Sequence, residues 1–166
     1  MDRWERLFAD LDRPLLPDES EVAELVEAER ASVTLASRLR GSLGSALTVC
    51  VPQVRLRGTL EAVGKDWLLL RSPDGIVLVM LDAVTELSAL GNTQPAAAVE
   101  LAASAALRRL ARRGARVVIY RVADTVAGQL AAVAADHVEV RGETGAVVVP
   151  FAAITAVAAP VQALDA

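Results

Sequence analysis

Shifted by 70 residues, the sequence matches itself, and this repeat limits the possible folds more than any other feature. Gly58-Thr-Leu-Glu-Ala-Val-Gly-Lys-Asp66 falls on Gly128-Gln-Leu-Ala-Ala-Val-Ala-Ala-Asp136, Arg71 on Arg141, Gly75 on Gly145, Val77 on Val147 and Val79 on Val149. Ala83-Val-Thr85 falls on Ala153-Ile-Thr155, so that 11 of the 28 positions from 58 to 85 are identical without a gap. Further back, Gly44 meets Gly114, and Leu47-Thr-Val-Cys50 meets Val117-Val-Ile-Tyr120. A chain of Ala and Val can match itself by chance, but Gly, Asp, Arg and Thr recurring at one spacing indicate an internal duplication.

Length and composition fit two small related units. The 166 residues are 54% hydrophobic and 23% charged, enough for a substantial core and too apolar for a disordered chain. Aromatics are only 3%, so the core is expected to be aliphatic, and stacking platforms for bases are scarce. A single cysteine, Cys50, excludes an intramolecular disulfide and a multi-cysteine metal site, and it is expected to be a small buried hydrophobe. The single histidine, His137, excludes a multi-histidine metal cluster. No metal or other cofactor is expected. The charged start, Met1 to Asp12, lacks the apolar stretch of a secretory leader, so the expected compartment is the cytoplasm.

Each copy reads as a helix followed by five short strands. Asp18 and Glu21 have capping-box spacing, and Val22, Leu25, Val26, Val33, Ala36 and Leu39 mark one face of a helix expected to run to Arg40 and stop at Gly41. In the second copy Pro95 can open a helix that runs to about Arg113, with Gly114 ending it. The period then becomes two. Strands are expected over 46–51, 54–62, 67–71, 76–81 and 84–87, and again over 116–122, 125–133, 137–141, 146–151 and 154–158. Ser72-Pro-Asp-Gly75 and Gly142-Glu-Thr-Gly145 are the hairpin turns. Gly58 and Gly128 sit mid-strand, where a sharp bend would need them. Five short, closely connected strands curl economically into a small barrel without exposed edges. The expected fold is therefore α+β, a tandem duplication of a helix plus a five-stranded small β-barrel. Copy one spans 18–91 and copy two 92–166. Residues 1–15 precede them as an amphipathic helix whose stripe is Trp4, Leu7, Phe8 and Leu11. That stripe is expected to pack on a barrel or, alternatively, to dock a partner. The apolar run Ala146 to Val161 is too short to span a membrane and holds Pro150 and Pro160, so it reads as a buried strand pair with a tail.

No phosphate-binding glycine loop, nucleophile elbow or zinc-protease helix motif occurs. His137 and adjacent Asp136 are the best catalytic pair on offer, but neighbours within a strand point to opposite faces, and a turn-capping role suits Asp66 and Asp136 better. Arg71 and Arg141 are expected to meet carboxylates, Asp82 in the first copy, or to mark a duplicated anion site. The net charge of -4 averages alternating blocks: residues 101–120 hold five bases and no acid, and 31–65 hold five bases and one acid. Two arginine-rich patches follow, Arg38, Arg40, Arg55 and Arg57 in copy one and Arg108, Arg109, Arg112, Arg113 and Arg116 in copy two. They can sit near helix C-termini, pair with the six acids between Asp18 and Glu29, or grip phosphates.

Two resemblances add to this. Met1-Asp-Arg-Trp-Glu-Arg-Leu-Phe-Ala-Asp-Leu11, Leu56-Arg-Gly-Thr-Leu60 and Asp66-Trp-Leu-Leu-Leu70 resemble uncharacterised proteins of high-GC actinobacteria, some labelled Fis-family transcriptional regulators. That label would require a helix-turn-helix near the C-terminus, where strand and tail are expected instead. The helix leading into Gly58-x-Leu60, the turn at Asp66 and the hydrophobic strand after it resemble Sm-like and other SH3-like small barrels, and at fold level a duplicated PRC-type barrel. Sm proteins bind RNA through an Asn after the turn Asp and an Arg-Gly pair. Asp66-Trp67, Met80-Leu-Asp82, His137-Val-Glu139 and Pro150-Phe-Ala152 carry neither. The function expected is a non-catalytic interaction or regulatory module with a protein partner and no membrane contact. The alternative is a nucleic-acid-binding regulator using the arginine patches.

Overall fold

The computed structural model describes residues 18–88, 90–91 and 100–160. The expected helix over 1–15, with Trp4, Leu7, Phe8 and Leu11, and the proposed helix start at Pro95 lie outside these residues. The chain divides into two compact units, Met1–Val33 and Thr34–Ala166. The described part of the first is helix α1 (Glu19–Ser32), capped by Asp18, whose amide donates to Glu21 Oε2 at 3.4 Å. None of its residues is buried.

The single helix expected from Asp18 to Arg40 is instead broken. Val33 takes an extended backbone, and Thr34 caps a second helix, α2 (Leu35–Arg40), its Oγ1 accepting from Ser37 N at 3.2 Å. Two β-branched residues in a row, the second with a capping hydroxyl, favour this break over continuation. Beyond α2 come β1 (Ala46–Val51), β2 (Val54–Val63), β3 (Trp67–Ser72), β4 (Gly75–Met80) and β5 (Glu86–Ser88). The second copy supplies α3 (Ala103–Arg112), β6 (Arg116–Tyr120), β7 (Thr125–Val133), β8 (His137–Gly142), β9 (Gly145–Pro150) and β10 (Ala156–Pro160). Strand boundaries follow the sequence expectation to within a few residues, because alternation and turn residues encode them locally.

The strand partners do not follow it. All ten strands form one antiparallel sheet in the order β5-β1-β2-β3-β4-β10-β6-β7-β8-β9, and it is not closed into a barrel. Two Sm-like or SH3-like barrels are therefore not what the chain forms, and the PRC-type comparison fails with them. The cause is one choice of neighbour. β4 pairs with β10 of the other copy, in register from Val79 opposite Ala156 to Gly75 opposite Pro160. Its own fifth strand, β5, pairs with β1. In neither copy does the fourth strand pair with its own fifth strand, so neither curls shut: β4 pairs with β10, and β9 pairs with β8 and ends the sheet.

Within this sheet the duplication extends to matching backbone hydrogen bonds. Leu60 N donates to Ser45 O and Leu130 N to Ala115 O, each at 2.9 Å. Thr85 N donates to Cys50 O and Thr155 N to Tyr120 O, again at 2.9 Å. Register shifts fall between Leu60 and Ala62 and between Leu130 and Ala132. The mid-strand glycines are needed for close approach: a Cβ on Gly58 would lie 2.6 Å from Arg71 O, and one on Gly128 2.5 Å from Arg141 O.

The two cores share the junction. One cluster joins Trp67, Ile76 and Leu78 of copy one to Leu107, Ile119, Leu130 and Val140 of copy two. The other is built on Leu39, Leu60, Leu68 and Leu70 and takes in Ala156 from β10. Leu39 and Leu107, both fully buried, anchor α2 and α3. Removing either side chain would cost about 2–5 kcal/mol. Cys50 is half-buried rather than buried, and β9, expected in the interior, exposes all but Val149.

Candidate functional site

The clearest concavity follows from the junction of the copies. Along the start of β2 the alternation of Val54, Arg55, Leu56 and Arg57 leaves both arginines exposed and the two aliphatic residues half-buried. At the start of β6, Arg116 is exposed and Val117 buried. The β4–β10 pairing sets these two segments around one cavity of about 540 Å3, lined by Arg55, Arg57 and Arg116 and by Val77, Tyr120 and Ala158. Asp74, from the β3–β4 turn, also lines it. Among the described residues none of the three guanidiniums has an ion-pair partner. Three permanently charged residues and one carboxylate residue thus line the groove. Guanidinium groups bind carboxylates and phosphates in a planar, bidentate fashion, so the groove suits an anionic group.

The other expected patch residues go elsewhere. Arg40 is buried, its Nη2 donating to Gly64 O at 3.0 Å while Nε has no hydrogen-bond partner among the described residues. Arg38 lines a separate hollow of about 450 Å3 beside β5. Arg109 and Arg113 line an apolar pocket of about 330 Å3 with Trp67 and Leu101. Arg108 and Arg112 are exposed on α3. The nine arginines therefore do not form one surface, and three of them converge. Sequence reasoning did not mark Tyr120 or Asp74 as site residues. The only available signals were the alignment of Tyr120 with Cys50 and the place of Asp74 in a turn.

His137 and Asp136 do meet: Nδ1 and Oδ1 are 2.7 Å apart. Asp136 lies in the turn before β8, so the opposite-face rule for strand neighbours does not apply to it. The hydrogen bond from His137, and then its charge, hold the Asp136 carboxyl below its usual range. Asp136 is fully exposed, and among the described residues His137 makes no hydrogen bond to a hydroxyl or thiol. The pair is thus a base and orienter without a nucleophile. Arg71 pairs with Glu61 rather than with Asp82. Ala131 stands where a second Glu61 would be, so Arg141 lacks the equivalent ion pair.

Among the described residues no group of three or more His, Cys, Asp or Glu side chains is placed to hold a metal ion. No helix among them is long and apolar enough to cross a membrane. No family model matches the sequence, and no curated protein matches it either. The resemblance to actinobacterial Fis-family regulators finds no support in these comparisons, and the Sm-like resemblance is overturned by the open sheet.

Proposed function

We propose that the protein is a non-catalytic binding module whose junction groove takes an acidic segment of a partner protein. The observation that carries this reading is the convergence of Arg55, Arg57 and Arg116, from two copies, on one groove without ion-pair partners among the described residues. The apolar groove wall, with Val77 and Ala158, suits the non-polar side chains of a peptide. Nucleic acid is the less favoured ligand. The chain is acidic overall, and three converging guanidiniums are a small footprint for a phosphate backbone. The half-buried free Cys50 suits a reducing compartment, and the cytoplasm is where this reading places the protein.

Fluorescence anisotropy with a labelled glutamate-rich peptide, single-stranded RNA and duplex DNA at low and physiological salt tests the proposal. The peptide is expected to bind, and R55A/R57A/R116A to weaken it about tenfold or more, at roughly 0.5 kcal/mol per exposed guanidinium. R108A/R112A should leave binding unchanged. Tight, salt-sensitive binding of RNA or DNA without peptide binding would replace this reading by the nucleic-acid one. Equal peptide affinity of the triple variant would remove the groove from consideration.

A further inference from the structure

Among the described residues the sheet ends in two unpaired edges that are copies of its own internal joint. In each copy the strand order is fifth, first, second, third, fourth: β5-β1-β2-β3-β4 and β10-β6-β7-β8-β9. The copies are joined where the fourth strand of one, β4, meets the fifth strand of the other, β10. After that joint is made, one fourth-type edge, β9, and one fifth-type edge, β5, are left at the two ends of the sheet. We infer that β9 of one molecule pairs with β5 of a second copy of this chain, repeating the β4–β10 joint between molecules.

The 70-residue offset supplies the register. Ala156 faces Val79, Val157 faces Leu78 and Ala158 faces Val77. The intermolecular equivalents are Glu86 with Val149, Leu87 with Val148 and Ser88 with Val147. Side-chain burial agrees with an unfilled joint. Leu78, on the filled edge, is 2% exposed, whereas its counterpart Val148 is 57% exposed. β9 carries no charge along Gly145-Ala-Val-Val-Val149, so it lacks the charged side chains that usually protect an edge strand. Gly75 and Gly145 give the same answer. The Cβ position of Gly75 lies 2.2 Å from Ala159 O of the strand seated against it, while that of Gly145 has nothing within 4 Å. Next to the β5 edge, Leu87 and Leu90 line an open hollow. The two joined edges differ, so the contact is heterologous: copies add head to tail and form an open filament unless the turn per copy closes a ring.

The test is the oligomeric state of the full chain by light scattering over a concentration series, with V148K blocking the β9 edge and L87K blocking the β5 edge. The unaltered protein is expected to assemble as concentration rises, and each variant alone to remain monomeric. A mixture of the two variants should form dimers and stop there, because each keeps one working edge. Cross-linking gives a second measurement that does not depend on L87K folding. In a C50S background, an oxidised mixture of S88C and V147C proteins should yield disulfide-linked dimers at the predicted register. A strictly monomeric unaltered protein overturns the inference, as does an L87K protein that still assembles through β9 alone. Failure of S88C and V147C to cross-link does so as well.

Discussion

Asp66 Oδ1 accepts a hydrogen bond from Ala103 N at 3.0 Å, so a turn residue of the first copy satisfies the first helical amide of the second. The neighbouring contacts reinforce this clamp: Trp67 Nε1 donates to Leu101 O at 2.8 Å and Lys65 N to the same oxygen at 3.0 Å. Asp136, the same residue 70 positions on, is turned to His137 instead. Asp66→Ala should therefore destabilise the protein by about 1 kcal/mol, the usual cost of a lost helix cap. Asp136→Ala, at an exposed position, should cost less. Urea unfolding of the two variants side by side measures the difference.

The His137 contact gives Asp136 a pH signature. Its carboxyl is depressed in the folded chain, first by the hydrogen bond from His137 and then by that residue's charge. A carboxylate with a lowered folded-state value contributes stability above its unfolded value of about 3.9, and that contribution is lost as pH falls through the folded value. Because Asp136 is fully exposed, salt should weaken the effect. In carbonyl-detected NMR titration, Asp136 is expected to titrate below the ordinary aspartate range and to shift up toward that range in H137A. An unchanged Asp136 titration in H137A would separate the pair.

Gly75 and Gly145 hold φ values of 154° and 129°, both unfavourable for a side chain. Only Gly75 also has backbone against it. Gly75→Ala should cost about 2–4 kcal/mol, combining backbone strain with a forced shift of β10. In the isolated chain Gly145→Ala should cost about 1–2 kcal/mol from strain alone. Thermal midpoints at low protein concentration compare the two.

The tight turn between β1 and β2 is Pro52-Gln53, and Gln53 sits at φ 67°, the only non-glycine residue at positive φ among those described. Gln53→Gly relieves about 1 kcal/mol of left-handed strain, against roughly 0.5 kcal/mol that glycine adds to the freedom of the unfolded chain. A net gain of about 0.5 kcal/mol in chemical denaturation is expected, and Gln53→Val should lose stability.

The amino-acid sequence by itself determined the duplication, the strands and their turns. Alternation along Val54 to Ala62 and the tetrad Ser72 to Gly75 are local signals, and each acts within a few residues of its own position. It also placed arginines at 55, 57 and 116, but not their convergence, and it did not foresee that Arg40 would be buried against Gly64. Only the tertiary structure decided that β4 turns to β10. Backbone hydrogen bonds are alike on every strand edge, so the one-dimensional pattern cannot choose among possible neighbours. That choice rests on how Ile76, Leu78 and Val79 divide between two cores, which is a matter of packing in three dimensions. Once made, it opened the expected barrels into one sheet, gathered the three arginines and left the outer edges of β5 and β9 unpaired among the described residues.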